Sequence, residues 1–400
     1  MRDGHQRALD GLRGVAAFMV VIFHMDAFFG SLFSPSDKYI IHSPMWQLYR
    51  RFINGNFLVT VFFALSGYVL LLGFERKRSP SYLAAAAVKR YFRLTPVVLA
   101  STMLAWLASV TIGLHNISAA DAIGGHEGLL VIYRKPLTFL GSIWNGVAGA
   151  YRGDDSYNFP LWTLSLELFG SLMLFGIAAL FYRSQRFWLI ALAVTVGWIT
   201  VFGTQGVYYS LFLAGALLLR YPALRLRWYF FLPAAYLGAE NIRLPEITFL
   251  QSMIPKAWNF DVTVFVHAIG AMMMLASVLG SKRLKAAFGC RPLVWLGRVS
   301  FSLYVCHAIV ISSVGCWILE TFAQRGALHI GGVLAIAATI AVSLTLAQIM
   351  TTLVDSPAQR LANWIAKIVL QPSKSVINGE SVRELEDLDN TVSVRRTGNC

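Results

Sequence analysis

The feature that most constrains this chain is an apolar stretch near its N-terminus that carries two ionisable residues. Residues 9–29 read LDGLRGVAAFMVVIFHMDAFF, which is long and apolar enough to cross a bilayer as one helix. Arg13 and His24 lie inside it. At about 100° per residue, their side chains point within roughly 20° of each other, about 16 Å apart along the axis. Ionisable residues at membrane depth are costly, and two on one face favour a functional site over a buried structural pair.

The composition extends this membrane interpretation to the whole chain. Of the 400 residues, 56% are hydrophobic and 14% are charged, whereas about a quarter of the residues in a soluble domain are charged. The apolar runs predict an all-α, polytopic membrane bundle of about ten transmembrane helices. The predicted crossings are residues 9–29, 57–74, 94–113, 161–182, 187–203, 205–219, 228–239, 261–280, 299–319 and 331–353. The crossing at 228–239 is the weakest because it is short.

The basic residues predict the orientation of the bundle. With ten crossings and a cytoplasmic N-terminus, most of the 34 Lys and Arg residues fall in cytoplasmic segments, as the positive-inside rule requires. Both termini are then cytoplasmic, and the net charge of +14 needs no nucleic-acid partner. We expect residues 1–360 to form the membrane domain and the polar residues 361–400 to form a disordered cytoplasmic tail. The four cysteines show no paired spacing typical of a metal or redox motif, and no metal is predicted.

Several blocks of the sequence resemble, in order, those of the acyltransferase 3 family of integral membrane acyltransferases. The opening L-x-G-L-R-G-x-A-A and V-V-x-F-H match the start of that family, whose Arg and His, separated by ten residues, correspond to Arg13 and His24. The resemblance spans roughly residues 8–360. The other matching blocks contain Ser66 in F-F-x-x-S-G, Arg90 and Arg93 in R-x-x-R, Trp162 and Glu167 in L-W-[ST]-L-x-x-E, Tyr304 and His307 in Y-x-x-H, and Asp355, which stands where the family has Glu.

The resemblance implies a membrane O-acyltransferase that moves an acyl group, most often acetyl, from acyl-CoA to a hydroxyl. The acceptor would be a carbohydrate (surface or exopolysaccharide, O-antigen, lipo-oligosaccharide) or another natural product. Because an alcohol is a poor nucleophile until a base takes its proton, we expect His24 to be that base or a transient acyl carrier. Glu167 would set the tautomer of His24 and stabilise its imidazolium. Arg13 would bind the donor or the developing oxyanion.

The remaining matched residues are expected around this centre. Arg90 and Arg93 are three residues apart on one helical face. Two guanidiniums placed in this way suit the phosphates of acyl-CoA or, alternatively, those of anionic lipids. The residues expected to line the site are Ser66, Trp162, Tyr304 and His307.

A second class of function fits the same features. Ten helices with buried Arg, His and Glu residues also describe a proton-coupled transporter of a small polar solute. The hydropathy shows no convincing inverted repeat, which disfavours a transporter. Transfer of label from radiolabelled acetyl-CoA without any gradient would separate the two classes.

The location of the protein and its acceptor also have sequence expectations. We expect a multi-pass protein of the bacterial inner membrane. The segment YRGDDSYNFP lies in a predicted outer loop and contains Asp154 and Asp155. Its carboxylates and aromatic rings would suit a polyhydroxylated acceptor, although polar outer loops are common in any membrane protein.

Overall fold

The computed structural model describes residues 4–32, 54–77, 79–123, 127–239 and 245–370, and these residues form helices and turns without a strand. The all-α prediction is confirmed. The longer helices are α1 (Gly4–Phe29), α2 (Gly55–Lys77), α3 (Pro80–Thr111), α4 (Trp162–Phe181), α5 (Phe187–Phe202), α6 (Thr204–Arg220), α7 (Val262–Gly280), α8 (Arg291–Val310), α9 (Leu328–Met350) and α10 (Ser356–Leu370). The shorter helices are Asn116–Ala122, Glu127–Leu130, Phe139–Trp144, Phe231–Leu237, Pro245–Met253, Lys282–Phe288 and Cys316–Ala323.

Within the described residues, seven helical segments are long and apolar enough to cross a membrane, in agreement with the predicted membrane bundle. They are Gln6–Phe29, Gly55–Lys77, Pro80–Thr111, Phe159–Phe181, Val262–Gly280, Arg291–Ala323 and Leu328–Ile368. Helix α5 is also apolar but has only 16 residues. The total of ten crossings and the cytoplasmic location of both termini stay predictions.

The predicted crossing at residues 228–239 differs most from the structure. Its α-helical part is Phe231–Leu237, preceded by the 3₁₀ turn Trp228–Phe230. Seven helical residues rise about 10 Å, against a hydrocarbon core about 30 Å thick. This segment is therefore not a spanning helix in the structure.

Helices α1 and α8 pack directly on each other and run in the same direction. Glycines allow their backbones to approach closely, as small residues do between membrane helices. A Cβ atom added at Gly297 of α8 would lie 2.0 Å from the carbonyl oxygen of Asp10. One added at Gly14 of α1 would lie 2.4 Å from the amide nitrogen of Gly297. This close approach brings the backbone of α1 at Asp10 and Gly14 against α8 at Gly297.

We predict that Gly297→Ala destabilises the protein, because the new methyl group meets backbone that cannot rotate away. Overpacking of this kind destabilises by about 1–3 kcal/mol. The measurement is thermal unfolding of the purified protein, followed by the loss of the monodisperse peak in size-exclusion chromatography. Gly176→Ala is the matched control, since a Cβ at Gly176 meets nothing within 4 Å. Equal melting of the two variants would contradict the prediction.

Helices α9 and α10 are joined by a π-helical turn, Thr351–Asp355, instead of a loop. Turns of this type widen a helix locally and are frequent at functional sites. Helix α10 then packs along α3, and Ala358, Ala362 and Ala366 are buried. It continues to Leu370, beyond the domain boundary predicted at residue 360. The predicted tail from residue 371 onward lies outside the described residues.

Candidate active site

A cavity of about 340 Å³ lies among α1, α2, α3, α4, α8 and the α9–α10 junction. Its volume falls within the range of small-molecule sites, roughly 300–1,000 Å³. Both basic and acidic side chains line it, so it suits a ligand that carries both negative groups and hydrogen-bond donors. The charged residues that line it are Asp10, Arg13, Arg90, Arg93, Glu167, Arg298 and Asp355.

Six of the nine residues predicted for the site line this cavity, although they come from five different helices. They are Arg13, Ser66, Arg90, Arg93, Glu167 and Tyr304. Ser66 and Gly67 are adjacent small residues with different roles. Ser66 lines the cavity, while Gly67 lets α2 approach α6, because a Cβ there would lie 2.0 Å from the carbonyl oxygen of Phe212.

The sequence analysis assigned no site role to three charged residues of the cavity. Asp10 lies one helical turn before Arg13, and this i, i+3 spacing is the signal that would have found it. Arg298 lies beside Gly297 at the close contact between α1 and α8. Asp355 is buried; its Oδ2 accepts a hydrogen bond from Nε2 of Gln359 at 3.1 Å, and its Oδ1 has no partner among the described residues.

The two arginines of the R-x-x-R motif occupy different environments. Arg90 is 6% exposed, and its Nη2 donates to Oε1 of Glu167 at 2.6 Å while its Nε donates to Oγ of Ser171 at 3.2 Å. Arg93 is only partly buried. Arg90 therefore fastens α3 to α4, and Arg93 is the member of the pair better placed to meet an incoming anion.

This ion pair corrects the role predicted for Glu167. The sequence analysis expected Glu167 to contact the imidazole of His24, but the structure pairs the carboxylate with Arg90. The neighbour of His24 is another histidine. Nε2 of His307, on α8, lies 3.0 Å from Nδ1 of His24. The sequence analysis matched His307 to a family block without assigning it this contact.

The hydrogen bonds of the two histidines define their tautomers. Nδ1 of His24 lies 3.0 Å from the carbonyl oxygen of Val20, and Nδ1 of His307 lies 3.2 Å from that of Leu303. A carbonyl oxygen only accepts, so both Nδ1 atoms carry the proton and donate. Nε2 of His307 then carries a lone pair and accepts from Nδ1–H of His24. It follows that Nε2 of neutral His24 also carries a lone pair.

The histidine pair lies next to the cavity without lining it. Tyr304, which lines the cavity, has its ring centroid 6.0 Å from that of His307. Its hydroxyl donates to the carbonyl oxygen of Pro160 at 3.0 Å and lies 3.0 Å from Oγ1 of Thr163. The ring of Phe159 packs edge-on against His24, with centroids 4.9 Å apart. A layer formed by Tyr304 and Thr163 therefore stands between the cavity and the histidines.

Trp162 is, after His307, the second predicted lining residue that does not line the cavity. Its ring packs against Tyr208 of α6, with centroids 6.1 Å apart, and it does not line the cavity. The next residue, Thr163, lines the cavity instead. A step of one residue turns a helical side chain by about 100°, which is enough to move it from the cavity to the α4–α6 contact.

In the predicted outer loop, Asp154 makes its hydrogen bonds with residues close to it in the sequence. The backbone carbonyl of Asp154 accepts from Nδ2 of Asn145 at 3.0 Å, and its Oδ1 accepts from the backbone N–H of Ser156 at 3.1 Å. Burial opposes ionisation of Asp154, but hydrogen bonds from Ser156 and Asn145 outweigh it and lower the pKa of that carboxyl. Burial raises the pKa of Asp155. These contacts account for the conformation of the loop without an acceptor.

The apolar helical bundle thus encloses an arginine-lined cavity beside the His24–His307 pair, and this cavity is the candidate active site. The family model described as an acyltransferase domain, that of the acyltransferase 3 family, matches residues 6–351. The chain therefore belongs to this family and is a membrane acyltransferase, as the sequence resemblance predicted. It is also 24% identical to O-acetyltransferase PaAT-1 of Phomopsis amygdali, in an alignment that covers 92% of this chain and 86% of the relative. No solved structure matches the chain.

Proposed function

We propose that this protein transfers an acetyl group from acetyl-CoA to a hydroxyl of a carbohydrate or another natural product. Family membership supports acyl transfer and favours an enzyme over the transporter that the sequence left open. The similarity to an O-acetyltransferase supports a hydroxyl acceptor and an acetyl group. The observation that carries the proposal is the position of the His24–His307 pair, which lies behind Tyr304, a residue that lines the arginine-lined cavity.

In the proposed reaction His24 acts as the base. Its Nε2 takes the proton of the acceptor hydroxyl while the oxygen attacks the thioester carbonyl carbon. The tetrahedral intermediate then breaks its C–S bond, and the leaving sulfur of CoA takes the proton back from Nε2. Bases positioned in this way contribute about 10²–10⁴-fold to a rate. The same lone pair suits direct attack on the thioester, and mass spectrometry of the His24 peptide after an acid quench would detect an acyl-histidine.

The distance along α1 favours donor binding as the role of Arg13. Arg13 and His24 are three helical turns apart, about 16 Å along the axis. An oxyanion formed beside His24 lies at the other end of that distance. The phosphates of an acyl-CoA whose thioester reaches His24 would instead lie near Arg13 and Arg93, joined to the thioester by the long pantetheine arm. This proposal requires the thioester to pass the layer formed by Tyr304 and Thr163.

The proposed activity is tested with membranes that contain the protein and [¹⁴C]acetyl-CoA, without any ion gradient. The expected result is label in extracted glycans or small molecules that mild alkali releases as acetate, as an ester requires, together with release of CoA. Membranes with the protein absent give the background. Label transfer and CoA release at the background level would overturn the proposal.

We predict that Arg93→Gln raises the KM for acetyl-CoA by about 10–100-fold with a smaller change in kcat. The reason is the loss of a hydrogen bond to a charged group, worth about 1.5–3 kcal/mol. If Arg93 binds the 3′-phosphate, Arg93→Gln should raise the KM for acetyl-dephospho-CoA by a smaller factor than the KM for acetyl-CoA. Arg186→Gln is the matched control, because Arg186 is exposed and does not line the cavity. An unchanged KM in Arg93→Gln would exclude this residue from donor binding.

A further inference from the structure

His307 is a buried histidine that the proposed reaction does not use directly. It lies on α8 and is 0% exposed, and its Nε2 makes a hydrogen bond with the side chain of His24, to Nδ1. A buried imidazole whose two nitrogens are both hydrogen-bonded is held in one orientation. The acceptor it offers to His24 is therefore fixed in space.

We infer that His307 is a positioning residue, which holds His24 as the Nδ1–H tautomer and so leaves Nε2 as the reactive nitrogen. This inference rests on the proposed function for its catalytic consequence but not for its structural one. The acceptor from Val20 belongs to the same helix as His24 and moves with it. The acceptor from His307 comes from α8 and sets the imidazole relative to the layer of Tyr304 that the donor must pass.

His307 also suits the charged state of His24. When Nε2 of His24 takes a proton, the imidazolium keeps its Nδ1–H pointed at two acceptors, the Val20 carbonyl oxygen and Nε2 of His307. A hydrogen bond from an ionised donor is about twice as strong as one between neutral groups. The contact therefore strengthens as the acceptor hydroxyl loses its proton, which is what the transition state requires. This is the role that the sequence analysis gave to Glu167.

The structural part is tested by solid-state ¹⁵N NMR of the full-length protein, labelled in histidine and reconstituted in lipid bilayers. The resonances of His24 are those lost in His24→Gln. We expect the Nδ1–H tautomer in the wild type and in His307→Gln, whose amide oxygen accepts in place of Nε2. We expect a larger Nε2–H population in His307→Leu than in the wild type, because Nδ1–H of His24 then keeps the Val20 carbonyl oxygen as an acceptor but loses Nε2 of His307. An Nε2–H tautomer in the wild type, or no change in His307→Leu, would overturn the inference.

The catalytic part is read from the kinetics of the same variants. We expect His307→Leu to lower kcat by on the order of 10–100-fold, a part of what a positioned base contributes, with the KM for acetyl-CoA unchanged. His307→Gln should recover at least half of the lost activation free energy. His267→Leu controls for the loss of any buried membrane histidine, since His267 is 2% exposed and bonds Asn54 instead. Equal decreases in kcat in His307→Leu, His307→Gln and His267→Leu would show that His307 has only a structural role.

The two proposals fail in distinguishable ways. A wild-type protein with the Nδ1–H tautomer of His24 and no acyl transfer would overturn the proposed function and leave the positioning by His307 in place. Acyl transfer that persists at the wild-type kcat in His307→Leu would overturn the positioning role and leave the proposed function standing.

Discussion

Replacing His24 with alanine is expected to lower acyl transfer by about 10²–10⁴-fold, the contribution of a positioned general base. The change removes Nε2 of His24. Of the four ring nitrogens in the histidine pair, this is the one that takes no part in the hydrogen bonds described above. The KM for acetyl-CoA should change little, because His24 does not line the cavity that contains Arg13 and Arg93. The measurement is initial-rate kinetics of CoA release and label transfer in reconstituted membranes.

This prediction needs a control for folding and one for the loss of a histidine. The amount of monodisperse protein and its melting temperature supply the first. His329→Ala supplies the second, since His329 is exposed at the start of α9 and far from the cavity lining. A folded His24→Ala protein with a kcat close to that of the wild type would remove His24 from the chemistry altogether.

The position of His24 shows what one helix can reveal from sequence. The period of 3.6 residues is a local property, and the eleven-residue spacing predicted that Arg13 and His24 share one face of α1. In the structure Arg13 lines the cavity, whereas His24 does not line it and contacts His307. Helix α8 supplies Arg298 to the lining of the cavity that Arg13 also lines, and it supplies His307 to the contact with His24. Six of the nine predicted site residues line the cavity, because each motif fixes the face of its own helix.

The partner of His24 could not be predicted in the same way. Whether Glu167 or His307 reaches the imidazole depends on how far α4 and α8 slide along α1, and long-range packing sets that register. Glycine contacts such as Gly297 against Asp10 fix the position of α8. The Ser171 hydroxyl and the Glu167 carboxylate instead bind α4 to Arg90 of α3. No periodicity within a single helix carries this information.

The crossing predicted at residues 228–239 differs from the structure for another reason. Ten crossings were required to place both termini in the cytoplasm, and residues 228–239 were predicted to be one of them because they are apolar. In the structure its α-helix ends at Leu237 and Gly238 follows, so hydrophobicity here does not correspond to a helix of spanning length. Composition predicts burial in a membrane protein, whereas spanning also requires about 20 helical residues.

Removing the carboxylate of Glu167 is expected to have the second-largest effect. Glu167→Leu leaves the Arg90 guanidinium buried with only Ser171 as its partner. Breaking a buried ion pair from one side destabilises by about 3–5 kcal/mol, and the partial exposure of Glu167 places the expected value near the lower end. The measurement is the melting temperature of the purified variant, with Glu320→Leu as a control for a carboxylate in the partly exposed pair with His115.

The double variant Arg90→Met/Glu167→Leu then separates a structural role of Glu167 from a chemical one. Replacing both partners of a buried pair by apolar side chains of similar size is often neutral for stability, so the melting temperature should recover. Because Glu167 contacts Arg90 and not His24, we expect the kcat of the double variant to lie within about tenfold of the wild type, a smaller loss than the 10²–10⁴-fold of removing a catalytic base. If Arg90 supports Arg93, the KM of the double variant for acetyl-CoA should be higher than that of the wild type. A stable double variant with no measurable kcat would show that Glu167 has a role in the reaction itself.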